Sequence, residues 1–240
     1  MLDHIQPEEI LFLDIETVPA VTGYEELEPH WQKLWDEKMK NQVTPENDPS
    51  RLYDRAGIFA EFGKIIVISM GYLYQKKGEW TYRVKSFHDR DEKKLLQEFT
   101  QALEKSERAG KKRLCAHNGQ EFDYPWIARR MLVHGLPLPR ILDVAGAKPW
   151  EVKDTLIDTL QLWKFGDFKH YTSLALLCAL FGIPTPKDDI DGSQVARVYY
   201  EEDDLDRIVR YCEKDTLAVA NLFLKYKGLE IIPFEKLEAV

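Results

Sequence analysis

The chain has 240 residues, 44% hydrophobic and 31% charged, with a formal net charge of −8. That length and mixture suit a substantial core and exclude a dominantly disordered chain. The acidic balance excludes indiscriminate coating of nucleic acid, which needs a broad basic surface, but not a carboxylate site neutralised by cations. No run reaches the roughly 18 apolar residues of a membrane span, and the N-terminal segment lacks an apolar signal core, so a cytoplasmic protein is expected. The three cysteines, Cys115, Cys178 and Cys212, are scattered and form no CxxC pair. They read as reduced, buried packing residues.

Residues 10–18 read as a buried strand, apolar and branched, interrupted by Asp14 and Glu16 and ended by Pro19. Residues 20–60 are polar, with helical spacing at 24–39 and turn residues at Pro45, Asn47, Asp48 and Pro49. They read as an excursion from the sheet within one domain spanning 1–240. Residues 64–74 and 80–88 are the next strands, joined by a turn at 75–79. Residues 91–106 place Leu95, Leu96, Phe99 and Leu103 on one helical face. A short strand at 113–117 and a helix at 123–134 follow, the helix stopped by Gly135 and Pro137. A strand at 156–162 and helices at 173–181, 193–200 and 205–225 complete the order, with Gly182 ending the first of these helices. The acidic run 201–204 reads as a solvated helix start. Arg129, Arg130, Lys111, Lys112 and Arg113 read as surface charges. Three strands, a helix, then alternating strands and helices predict an α/β fold. Its mixed sheet has antiparallel first strands and parallel later ones, with helices on both faces.

Three segments carry chemistry. Strand residues i and i+2 point to the same side, so Asp14 and Glu16 project together from an apolar strand. Either a divalent cation neutralises them, or the pair lies at a frayed strand end in water. In the segment 117–123, HNGQEFD, Gly119 permits a tight turn. Asp123 opens a helix, where it serves as an N-cap or as a ligand. Tyr211 and Asp215 stand four apart on a helix and share a face. Asp215 is a site residue, or a surface acid beside Glu213 and Lys214.

Together, DIE at 14–16, HNGQEFD at 117–123 and YCEKD at 211–215 resemble the DEDD superfamily of 3′–5′ exonucleases, the DnaQ-like enzymes with a ribonuclease-H-like fold. Arg210 stands where the histidine variant needs histidine, so the resemblance is to the tyrosine subclass. The later half, KHYTSLALLCALFGIPTPK then DDIDGSQVARVYY, is similar to stand-alone exonucleases related to the proofreading domain of family-B DNA polymerases.

The resemblance implies two Mg²⁺ or Mn²⁺ ions per site. Asp14, Glu16 and Asp215 would hold one. Asp14 would bridge to the other, which Asp123 would hold through water. Tyr211 would hydrogen-bond the attacking water; it is not expected to act alone as the base, since a phenol titrates near pH 10. The backbone at Glu16 and Thr17 would meet the 3′-hydroxyl. Asn118 and Phe122 would line the groove, and Lys169 would meet a phosphate; His170 either joins it or is an exposed loop histidine. His117 reads as structural, Asp158 as support for the site, and Asp191 as preceding a helix cap at Ser193. The implied partner is nucleic acid with a free 3′ end, DNA before RNA, with any proofreading done for another protein. An exoribonuclease, an endonuclease of the same fold and a non-catalytic binding module are the alternatives.

Overall fold

The computed structural model describes residues 2–167, 171–184 and 190–240. Strand β1 (Ile10–Pro19) alternates as a buried strand must. Leu11, Leu13 and Ile15 join one hydrophobic cluster; Ile10 and Phe12 join another. Strand β2 (Gly63–Lys76) runs antiparallel to β1, and β3 (Glu79–His88) antiparallel to β2. The β2–β3 hairpin turns at Lys77 and Gly78, with φ of 54° and 84°. Positive φ at both residues is what a two-residue type I′ turn demands. Strand β4 (Arg113–Ala116) pairs parallel with β1, and β5 (Leu156–Asp158) parallel with β4. Strand β6 (Leu237–Ala239) adds parallel to β3, giving the six-stranded order β5-β4-β1-β2-β3-β6.

The excursion contains α1 (Pro29–Met39), α2 (Pro49–Leu52) and a 3₁₀ turn over Tyr53–Ile58. Trp35, Met39, Leu52, Tyr53, Ala56 and Phe62 give it a cluster of its own. Helices α3 (Glu92–Arg108) and α4 (Asp123–Val133) cover one sheet face through Leu95, Leu96, Phe99, Leu103, Trp126, Ile127 and Met131. Each such buried side chain contributes about 1.5–3 kcal/mol. The chain continues through α5 (Pro149–Val152), α6 (Thr159–Lys164), α7 (Leu174–Phe181) and α8 (Val195–Arg197). Helix α9 (Leu205–Tyr226) covers the opposite face, packing Leu217, Ala220, Phe223 and Leu224 against Phe12. The α/β class, the mixed sheet and the helices on both faces are as expected.

Four local readings need correction. Residues 156–162 are not one strand: the Asp158 carboxylate accepts from the backbone N–H groups of Leu160 and Gln161 and starts α6. An N-cap ends the extended run. Residues 193–200 are not one regular helix, because α8 passes into a π-helix over Val198–Glu202. The acidic run is divided: Glu201 and Glu202 close that π-helix, Asp203 turns at φ 54°, and Asp204 caps α9 by accepting from Arg207 N–H at 3.0 Å. Arg130 is not a surface charge. It grips the buried Glu92 at 2.6 Å and the Ala60 carbonyl at 2.9 Å, tying α4 to α3 and the excursion. Strand β6, short and half-exposed, carries no alternation that the sequence makes visible.

Candidate active site

The site forms where the sheet changes direction. Strand β4 pairs with β1 only from Ile10 to Phe12, so Asp14 and Glu16 lie beyond that ladder. Toward β2, Asp14 faces Ser69 and Glu16 faces Val67, and the register slips between Glu16 and Thr17. Such a bulge re-aims side chains and is common beside active sites.

Asp14 and Glu16 share the α9 side of the sheet, and ligand atoms of Asp14, Glu16 and Cys212 lie within 4.8 Å of one another. Helix α9 supplies Tyr211, Cys212 and Asp215. The Cys212 thiol donates to Asp14 Oδ2 at 3.3 Å, and the Tyr211 hydroxyl hydrogen-bonds Asp215. Asp123 is nearly fully buried at the start of α4.

Electrostatics reflects the crowding. Burial, then Glu16, Asp215 and Asp123, hold the Asp14 carboxyl well above its ordinary range. Burial, then Asp215 and Asp123, do the same to Glu16. Asp123 is pushed up to about 7, first by burial and then by Asp158 and Asp215, against the lowering influence of its own N–H and that of Ile15. Burial and the carboxylates Asp215, Glu16 and Asp14 drive the Tyr211 phenol far upward, so it keeps its proton at neutral pH. Burial, then Asp14 and Glu16, keep the Cys212 thiol protonated. Buried carboxylates that repel one another are what a divalent cation would neutralise, and hard oxygen donors suit Mg²⁺ or Mn²⁺.

Asp123 is not the N-cap. Phe122 occupies that position without a side-chain bond, and Asp123 is the first helical residue, its carboxylate hydrogen-bonded to its own N–H and to that of Ile15 on β1. Asp158 does the fastening instead. Its carboxylate accepts from Asn118 N–H at 2.9 Å and Gln120 N–H at 3.1 Å, pinning the loop before Asp123 while capping α6. The tight turn falls on Asn118, at φ 63°. Gly119 is needed for close approach: a Cβ there would lie 2.6 Å from that of Ala116. The Asn118 amide oxygen is buried with no hydrogen-bond partner among the described residues. His117 is structural, bonded at 2.9 Å to both the Thr159 hydroxyl and the Thr172 carbonyl, and burial lowers its pKa. Neither Asp191 nor Ser193 caps a helix: Asp191 accepts from Ser193 N–H at 2.9 Å in the turn before α8, whose N-cap position is Gln194. Lys169 and His170 fall outside the described residues.

Two cavities flank the carboxylates. One of about 190 Å³ is lined by Asp14, His117, Tyr171, Ser173, Tyr211 and Asp215. The other, about 550 Å³, runs from Glu16 and Thr17 past Phe122 to Arg55, Ile58 and Ser193. The Thr17 hydroxyl is committed to the Gly57 carbonyl at 2.6 Å, fastening β1 to the excursion. The sequence reading missed Arg55 and Ile58, which belong to a stretch with no motif. It also left Cys212 out of the site, although Cys212 stands three residues before Asp215 and so shares its helical face.

Family membership makes this a 3′–5′ exonuclease, a hydrolase acting on phosphodiester bonds. More particularly, residues 58–231 match the family described as predicted 3′–5′ exonucleases related to the exonuclease domain of PolB, and the chain belongs to that family. The match begins after β1, so Asp14 and Glu16 stand outside it. Among solved structures, the family B DNA polymerase from the hyperthermophilic archaeon Pyrobaculum calidifontis superposes with a TM-score of 0.51 at 14% identity. The superposition covers 90% of this chain and 24% of the polymerase chain. No helix among the described residues is long and apolar enough to cross a membrane.

Proposed function

We propose that this protein removes nucleotides singly from the 3′ end of DNA, preferably single-stranded, releasing nucleoside 5′-monophosphates with two Mg²⁺ or Mn²⁺ ions per site. The observation that carries this is the clustering of Asp14 and Glu16 on β1, with Asp215 of α9 and Asp123 of α4 both close enough to raise the pKa of both β1 acids. Asp14, Glu16 and Asp215 would hold one cation; Asp14, with Asp123 through water, would hold the second. Bound there, the cations would acidify the attacking water and stabilise the leaving oxygen.

The chain's own groups do the rest. Tyr211, kept protonated, orients the water and is no base. The backbone at Glu16 and Thr17 receives the 3′-hydroxyl and Phe122 offers a face for the terminal base, whereas the Asn118 amide oxygen is buried and Asn118 lines neither cavity. The test is digestion of end-labelled single-stranded DNA, duplex DNA and RNA, each with Mn²⁺ or EDTA. Stepwise loss from the 3′ end of single-stranded DNA, abolished by EDTA, is expected; internal cuts or equal use of RNA would sink this reading.

Two variants refine it. Tyr211→Phe should lose roughly 10- to 100-fold in kcat, because alignment suffers more than chemistry. Asp215→Ala should lose more; a wild-type rate for Tyr211→Phe on every substrate removes the tyrosine from the mechanism. Arg55, exposed on the larger cavity, should hold substrate by its charge. Arg55→Ala should raise KM about 2- to 5-fold at unchanged kcat, the scale of one exposed ionic contact. An unchanged KM at low salt would place the strand elsewhere.

A further inference from the structure

We propose that Cys212 is a positioning residue: its thiol, backed by hydroxyls from β2 and β3, fixes the Asp14 carboxylate in the orientation that receives a cation. This rests on the reading of Asp14 as a metal ligand.

Cys212 is fully buried on α9, its sulfur 3.3 Å from Asp14 Oδ2 and 3.4 Å from the Asp14 carbonyl oxygen. Across the β1–β2 ladder from Asp14 stands Ser69, also fully buried and within hydrogen-bond reach of the same sulfur. Ser69 Oγ lies 2.8 Å from Ser86 Oγ, and Ser86 donates to Glu213 Oε1 at 2.8 Å. Ser86 gives its hydrogen to Glu213, so the single Ser69 hydroxyl hydrogen is directed either to Ser86 Oγ or to the Cys212 sulfur, and the Cys212 hydrogen to Asp14. Two successive residues of α9 are thereby fastened: Glu213 to β3, and Cys212 to β1. Tyr211 and Asp215 sit on either side of these ties, so the register of α9 and the orientation of Asp14 are set by one set of contacts.

A carboxylate torsion is broad and two-fold, so an aspartate without a fixed donor samples many orientations. Committing Oδ2 to the thiol leaves Oδ1 for the cleft. A thiol is a weak donor, so it orients the oxygen with little competition for its charge. Partners behind a metal ligand are worth about 10- to 100-fold in metal affinity or activity.

The test is Mn²⁺ affinity by titration calorimetry on the full chain, with kcat and KM on single-stranded DNA alongside. Cys212→Val removes the donor and keeps the volume; it should weaken Mn²⁺ binding about tenfold or more and lower kcat rather than raise KM. Cys212→Ser, which restores a donor, should recover most of that loss. Ser69→Ala should fall between, and it carries the test if Cys212→Val does not fold. Cys115, buried on β4, provides the packing control: Cys115→Ala should melt lower with unchanged Mn²⁺ affinity. Wild-type affinity in both Cys212→Val and Ser69→Ala, or an equal loss in Cys115→Ala, overturns the positioning role while leaving the cleft reading intact. A wild-type protein that binds no Mn²⁺ overturns both.

Discussion

Asp14→Ala should fold and should lose DNA hydrolysis by on the order of 10³-fold or more. Asp14 is the acid on which the site converges. It lines the smaller cavity, clusters with Glu16, accepts a hydrogen bond from the Cys212 thiol, and has its pKa raised by burial and then by Glu16, Asp215 and Asp123. No neighbouring acid reproduces that position. Its removal also takes one like charge out of a buried group of acids, so the metal-free variant should melt no lower than the wild type. Asp14→Asn keeps the shape and an acceptor for Cys212 but not the charge, and it should be as inactive. The measurements are a single-turnover time course on end-labelled DNA and a thermal melt with EDTA. Near-normal digestion by either variant would show that the chemistry happens elsewhere.

The parts of this site that the sequence makes visible are those governed by short periods. Asp14 and Glu16 are two apart on a strand, and Tyr211 and Asp215 four apart on a helix; each spacing fixes a shared face without knowledge of the fold. What brings β1 to α9 is long-range packing of Phe12 against Phe223 and of Val18 near Ile208, which no local pattern encodes. Asp123 shows the limit well. An aspartate opening a helix looks like a cap, and only the Asp158 clamp on the preceding loop frees it from that duty. The strand reading ran four residues past Asp158, through 162, because its capping bonds run to its own neighbours and interrupt a hydrophobic run. The pairing of Arg130 with Glu92 was invisible for a related reason: the partners are 38 residues apart, on helices whose contact depends on the sheet beneath them.

Metal-free protein should lose stability as pH rises from about 4 to 7, and Mn²⁺ should restore it. The unfolded Asp123 titrates near pH 4, the folded one at about 7. Between these values the folded state holds a proton that the unfolded state has released, so deprotonation favours unfolding and stability falls with rising pH. Asp14 and Glu16 are raised in the same direction and extend the decline. A cation that binds only the folded cleft opposes it by mass action, about 2.7 kcal/mol at a hundredfold excess over its dissociation constant. For a chain of this size that is a rise in Tm of about 5–10 °C. The shift should be large at pH 7.5 and small at pH 5, where protons already occupy the acids. It should nearly vanish in Asp14→Ala and Asp215→Ala, and Ca²⁺ separates site binding from general ionic effects. Thermal melts of the three proteins at both pH values, with EDTA, Mn²⁺ or Ca²⁺, measure all of this. Equal Mn²⁺ shifts in all three proteins would place the ion outside the cleft. A metal-free Tm that climbs between pH 5 and 7.5 would mean that these acids find compensating charge in the folded state, and that their crowding is not what prepares the site for a cation.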